Sequence, residues 1–139
     1  MNPYLEKLLE TGNSLMIYKD SRLLFQSRSK GVAPHIEAIQ TLGDQLRGST
    51  VVDKLVGKAA ALLILYEGAG EAVVDVVSSL GRQVLEARGL RLVYREEVPH
   101  IKTREGVVFC PFERAVQGVE DPEEAYKVVL ETLERLRGR

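Results

Sequence analysis

The stretch T-V-V-D-K-L-V-G-K-A-A-A-L-L-I-L-Y-E-G, residues 50–68, decides the fold of this chain. It opens on β-branched residues, which favour a strand, and after polar Asp53 and Lys54 it runs into helix formers over residues 59–65. The helical part is apolar nearly all round, so we expect it to be buried. The stretch therefore predicts a strand that turns, at its polar residues, into a buried helix, which is a building unit of α/β proteins.

Polar groups concentrate where that strand gives way to the helix. Lys54 and Lys58 bring positive charge, Asp53 brings a carboxylate, and Gly57 allows a close approach of the backbone. Free N–H groups in the first turn of a helix bind anions, and α/β sheets bind ligands beyond the carboxyl ends of their strands. We therefore predict a site for a phosphate-bearing ligand here. The alternative is that these charges form a solvated rim or an ion pair over the buried helix.

Predicted helices and strands alternate on both sides of this unit. Before it come a helix capped by Asn2, a hairpin of strands over residues 15–19 and 23–26, and a helix over residues 31–46. After it come a strand over residues 72–77, a helix over 80–88, a strand over 90–95 and a last helix that begins at Asp121. This order predicts right-handed crossovers and an α/β fold in a single domain of residues 1–139. We expect a mixed five-stranded sheet with helices on both faces, made of parallel core strands and an antiparallel hairpin edge.

Composition limits the classes of partner. Lys and Arg total 19 against 20 Asp and Glu, so a net charge of -1 gives no field that would draw the chain to nucleic acid or an anionic membrane. The longest apolar run falls short of the ~20 residues that span a bilayer. Residues 1–10 also lack the apolar core of a secretory signal. The single cysteine excludes an intrachain disulfide, which fits a reducing cytoplasm, so we expect a cytoplasmic protein. From the charge and the apolar runs we expect no nucleic-acid and no membrane partner.

Three segments resemble an uncharacterised prokaryotic family. They are G-V-A-P at residues 31–34, V-V-D-K-L-V-G-K-A-A-A at residues 51–61, and a C-terminal pattern of Val98-Pro99, Arg104, Gly106, Cys110-Pro111 and Glu113. The family is known as a domain of unknown function and is placed among proteins with a cytidine-deaminase-like fold. The resemblance spans most of the chain, from Leu15 to the last helix. It implies a three-layer α/β/α sandwich and no established reaction.

The sequence differs from those of the zinc deaminases at the residues that bind the metal. Those enzymes carry H-x-E at the start of the second helix and P-C-x-x-C at the start of the third. This chain has His35-Ile36-Glu37 near the first place, but its third helix begins without a cysteine, and Lys54 and Lys58 there would repel a cation. One imidazole cannot hold a catalytic zinc, which needs three protein ligands. We therefore interpret His35 as an ordinary helix residue and expect a zinc-independent protein with no metal and no cofactor.

Two further residues have chemical potential. Cys110 precedes a short predicted helix at residues 111–116, at the N-cap position where a helix can activate a thiol. A nucleophilic thiol also needs a base, and His100 is the nearest candidate in the sequence. Glu113 can cap the same helix. The alternative for Cys110 is a buried, inert thiol. Arg104 lies in the longest irregular stretch, where arginine suits the recognition of phosphate or carboxylate. The alternative for Arg104 is a solvated charge on a loop.

These observations support three hypotheses of function. The first is a zinc-free domain that binds a nucleotide or another phosphate-bearing small molecule through Asp53, Lys54, Gly57, Lys58 and Arg104. The second is an enzyme that uses Cys110 as nucleophile, or Asp53 as general base, on the same ligand. The third is a structural or oligomerisation module, for which a homodimer is the simplest form.

Overall fold

The computed structural model describes residues 1–101 and 110–138. Its strands, numbered in chain order, are β1 (Leu15–Lys19), β2 (Arg22–Ser27), β3 (Thr50–Val56), β4 (Glu71–Ser78) and β5 (Arg91–Val98). Its helices are α1 (Pro3–Thr11), α2 (Ala33–Leu42), α3 (Lys58–Tyr66), α4 (Ser79–Ala87), α5 (Pro111–Ala115) and α6 (Pro122–Arg137), with a 3₁₀ turn at Gly43–Leu46 after α2.

The strands form one mixed sheet in the order β2-β1-β3-β4-β5. The hairpin of β1 and β2 is antiparallel, and it turns at Asp20 and Ser21, which both have the positive φ angles (51° and 66°) that match the twist of a tight hairpin. β1 also pairs antiparallel with β3, whereas β3, β4 and β5 run parallel. The predicted mixed sheet with a hairpin edge is confirmed.

Helices cover both faces of the sheet, which confirms the three-layer α/β/α arrangement. On one face α1 packs against the sheet through a cluster of Leu5, Leu8, Met16, Val52 and Val73. The larger core on the other face is built around α3, whose residues from Ala59 to Ile64 are all buried. No helix within the described residues is both long enough and apolar enough to cross a membrane.

The central strand is longer than the sequence pattern indicated. We expected the chain to turn at Asp53 and Lys54, but β3 continues to Val56 and α3 begins only after Gly57. Asp53 pairs with Leu15 of β1 on one side and with Val74 of β4 on the other, so its backbone lies in the middle of the sheet. The turn prediction was wrong because a polar residue can sit in a central strand when a buried partner satisfies its side chain.

Candidate functional site

An imidazole is buried between two carboxylates beneath α2 and α3. His35 lies in the first turn of α2, and its Nε2 is 2.6 Å from Oδ2 of Asp53 on β3. Its Nδ1 is 2.7 Å from Oε2 of Glu67, the residue that follows α3. The side chains of these three residues, which we call the His35 triad, are 1%, 9% and 0% exposed. The triad therefore joins α2, the central strand and the end of α3 out of reach of solvent.

The charge state of the triad follows from its burial and its pairing. Burial disfavours the charged imidazolium, but the attraction of Glu67 and Asp53, with their hydrogen bonds, outweighs it and raises the pKa of His35 to about 10. Burial also raises the pKa of Glu67, although His35 opposes that effect. At neutral pH the ring is thus an imidazolium that donates both N–H groups to carboxylates. Because both ring nitrogens are hydrogen-bonded and shielded from solvent, the triad ties α2, β3 and the end of α3 together.

The residues that a zinc deaminase would use do not fit a metal in this chain. Both nitrogens of His35 are bonded to carboxylates, and the start of α3, Gly57-Lys58-Ala59, offers neither a thiolate nor an imidazole. Across residues 1–101 and 110–138, no group of three or more His, Cys, Asp or Glu side chains is arranged to hold a metal ion. The donor set of a deaminase zinc site is therefore missing from the described part of the chain.

The structure divides the residues that the sequence grouped into one ligand site. Asp53 faces His35, whereas Lys54 is exposed and points to the opposite face of the sheet, since successive residues of a strand alternate. Gly57 and Lys58 lie together at the start of α3, about 13 Å along the strand from Asp53 at roughly 3.3 Å per residue. The structure brings Gly57 and Lys58 to one place and leaves Asp53 and Lys54 outside it. Ligand binding by these residues, and a general-base role for Asp53, stay predictions.

The amino terminus of α3 already holds an anion that belongs to the chain itself. The Ala59 N–H donates to Oε1 of Glu113, a half-buried carboxylate carried by α5, at 3.2 Å. A Cβ built on Gly57 would collide with that same oxygen, so only glycine at the N-cap leaves room for the carboxylate. Lys58 adds positive charge nearby, and its Nζ is 3.1 Å from Oε1 of Glu120. Burial raises the pKa of Glu113, while the N–H groups of Ala59 and Lys58 and the Lys58 charge hold it down.

A small cavity adjoins this carboxylate at the carboxyl ends of the parallel strands. Its volume is about 20 Å³, enough for one water molecule. The residues that line it are Gly57, Ser78, Leu80, Pro99, His100, Ile101 and Glu113. We call this place the carboxyl-edge site, and in its present form it does not admit a phosphate group.

The neighbouring helix, α4, also begins next to a carboxylate. Ser78 caps it by accepting from the Gly81 N–H at 3.0 Å, and Ser79 donates to Oε2 of Glu97 on β5 at 2.8 Å. Arg82 approaches the other oxygen of Glu97 at 2.9 Å. The hydrogen bonds from Ser79 and Arg82 lower the pKa of Glu97. The two helices that start at the carboxyl edge therefore both meet acidic side chains of this chain.

Two predicted residues remain, Cys110 at the start of α5 and Arg104. Cys110 is the N-cap of α5 and is partly exposed, and its role as a nucleophile stays a prediction. Arg104 falls within residues 102–109, outside the described residues. We expected Glu113 to cap its own helix at Cys110, whereas the structure directs its Oε1 to the start of α3.

The structure gives two carboxylates, Glu67 and Glu113, roles that we did not predict from the sequence. Glu67 is a buried charged residue directly after a helix whose residues from Ala59 to Ile64 are all buried, and such a charge needs a buried partner. That pattern was a usable signal, and its complement was His35, an imidazole between apolar Pro34 and Ile36 in α2. Glu113 gave no such signal, because its partner is on a helix more than fifty residues earlier in the chain.

Comparison with known proteins identifies a family of unknown function. A family model described as TM1506, domain of unknown function (DUF1893), matches residues 4–133. The crystal structure of a DUF1893 family protein (TM1506) from Thermotoga maritima is similar, with a TM-score of 0.83 and 33% sequence identity. The match covers 91% of this chain and 85% of that one. Among curated proteins, none matches the chain.

Proposed function

We propose that this chain binds a phosphate-bearing small molecule at the amino terminus of α3, and nucleotides are the first class to test. The chain belongs to the DUF1893 family, which is described only as a domain of unknown function, so the proposal is argued from the geometry of the chain itself. The observation that carries this proposal is the position of the Glu113 carboxylate, which accepts from the Ala59 N–H where a ligand anion would bind.

Several features make this helix terminus suitable for an anion. The N–H groups of the first turn of α3 have no partner within the helix and carry the positive end of its dipole. Gly57 has no side chain to block the approach, and Lys58 adds a positive charge beside the same N–H groups. The place lies beyond the carboxyl ends of β3, β4 and β5, where open α/β sheets bind their ligands.

Binding in this proposal is an exchange of anions. The cavity of about 20 Å³ is too small for a phosphate, so the Glu113 side chain has to leave before the ligand enters. An anion at a helix amino terminus is stabilised by about 0.3–2 kcal/mol. Release of Glu113 therefore weakens phosphate binding by up to about 30-fold, at roughly 1.4 kcal/mol per tenfold. The phosphate compensates with more charge and more acceptor oxygens than a carboxylate has.

Isothermal titration tests the exchange. Wild type, Glu113→Ala and Glu113→Gln are titrated with inorganic phosphate, then with nucleoside monophosphates, diphosphates and nucleotide sugars. We expect weak binding to the wild type and an affinity up to about 30-fold higher in Glu113→Ala. Glu37→Ala, which removes an exposed charge on α2, is the charge-matched control and leaves the affinity unchanged. Equal affinities in wild type and Glu113→Ala, or no heat with any ligand in either, contradict the proposal.

Two lysine variants distinguish a site at the start of α3 from the larger site predicted from the sequence, in which Lys54 and Lys58 both bind the ligand. Lys58→Ala lowers the affinity of Glu113→Ala for phosphate, because Lys58 lies at the start of α3. Lys54→Ala leaves that affinity unchanged, because Lys54 projects from the opposite face of the sheet. An equal loss in the two variants would favour the site in which both lysines bind the ligand.

A further inference from the structure

An open groove runs between α5 and α6, away from the carboxyl-edge site. Its volume is about 650 Å³. Apolar Pro111, Ala115 and Val128 line it together with charged Arg114, Glu131 and Arg135. The three charged side chains are exposed, and none forms an ion pair with another described residue, although Glu131 and Arg135 are one helical turn apart. The groove therefore presents charges that no residue in the described part of the chain pairs.

The groove face of α6 changes sign along its length. Glu124, Val128, Glu131 and Arg135 follow each other at spacings of four, three and four residues, so they form one stripe on the helix. The stripe is acidic at its first member and basic at its last. The 16-residue helix is ~24 Å long, so the two ends are separated by more than a screening length of ~8 Å and act as distinct charges.

We propose that the occupant of this groove is a second copy of the chain, with the two α6 helices antiparallel about a two-fold axis. An axis between Val129 and Leu130 places Glu124 of each copy opposite Arg135 of the other. The same axis places Val128 opposite Glu131 of the other copy. A two-fold interface repeats every contact, so one favourable pair becomes two.

The charges on α5 support this arrangement. Arg114 of α5 lines the groove together with Arg135 of α6, so the groove contains two arginines. The acidic first turn of a second α6, which contains Glu123 and Glu124, meets them in the antiparallel alignment. A parallel alignment would instead bring like charges together. Charge complementarity of this exposed kind gives a weak dimer whose affinity falls with salt.

Charge-reversal variants test the interface. Sedimentation velocity, at protein concentrations up to millimolar, measures whether each variant has the mass of a monomer or of a dimer. Wild type forms a dimer that weakens as salt is added. Arg135→Glu and Glu124→Arg each place like charges opposite each other and raise the dissociation constant by about tenfold or more. The double variant, Glu124→Arg with Arg135→Glu, restores both pairs with reversed sign and recovers the dimer.

The double variant also excludes an explanation from the helix dipole. An acidic first turn and a basic last turn stabilise an isolated helix, so each reversal lowers the stability of α6 in any case. That effect adds in the double variant and cannot recover a dimer. Arg137→Glu, in the same last turn but off the stripe, is the matched control and leaves dimerisation unchanged. A wild type that is monomeric throughout, or a double variant no better than its parents, overturns the proposal.

Discussion

Replacing His35 with leucine is expected to cost a large part of the stability of this protein. Leucine is similar in size to histidine but is apolar. The variant therefore removes the positive charge and both N–H donors from the His35 triad. Asp53 and Glu67 then remain buried without a partner, at 9% and 0% side-chain exposure. Removing one member of a buried ion pair costs about 3–5 kcal/mol. A domain has only about 5–15 kcal/mol of net stability, so the loss is easily measured.

The raised pKa of His35 indicates that the protonated imidazole stabilises the folded state by an amount similar to the loss expected in His35→Leu. A rise from 6.5 to about 10 corresponds to roughly 5 kcal/mol at about 1.36 kcal/mol per pH unit. The folded state holds the proton more tightly than the unfolded state, so this stabilisation is complete below pH 6.5 and disappears as the pH rises through about 10. The raised pKa of Glu67 acts in the same direction, since its folded form also favours the proton.

Urea unfolding at several pH values measures both effects. We expect the free energy of unfolding of His35→Leu to fall by about 3–5 kcal/mol at pH 6.5, and this difference from wild type to shrink towards pH 10. Glu37→Gln, an exposed change on the same helix, stays within about 0.5 kcal/mol of wild type. A cost below about 1 kcal/mol, or a difference that does not depend on pH, would refute a charged and stabilising triad.

Three further substitutions test the packing around the carboxyl edge and α3. A Cβ at residue 81 would lie 2.8 Å from the backbone oxygen of Val56, so Gly81→Ala should lower the unfolding free energy by about 1–3 kcal/mol in urea titrations. Gly57→Ala meets the flexible end of Glu113 instead of backbone, so we expect a smaller loss than for Gly81→Ala and a displaced carboxylate in a crystal structure of the variant. Leu63→Ala opens a cavity in the fully buried middle of α3 and should cost about 2–5 kcal/mol, measured by thermal or urea unfolding.

Local patterns in the sequence were sufficient for the architecture. The apolar run of α3 and the β-branched strands are signals that depend on neighbours in the sequence, and their order determined the three layers and the mixed sheet. The end of β3 was misplaced because Asp53 looks like a turn residue until its partner is known. That partner, His35, lies on α2, 18 residues earlier in the chain, and local spacing carries no information about such a pair.

The candidate site was predicted in part for the same reason. Gly57 and Lys58 were identified because a helix start is a local feature with known chemistry. The group that binds there, Glu113, arrives from α5 through the tertiary fold, so the sequence assigned it to its own helix. The sequence also predicted an anion at the start of α3 but could not reveal that the chain supplies one.

The most direct test of the account is a phosphate titration followed by amide NMR shifts of Lys58 and Ala59. These N–H groups lie at the position where Glu113 and phosphate are expected to compete. In wild type we expect both signals to move with added inorganic phosphate. In Glu113→Gln we expect the same movement to saturate at a lower phosphate concentration. Signals that stay fixed in both proteins, or that saturate at the same concentration in both, would contradict an exchangeable anion at the start of α3.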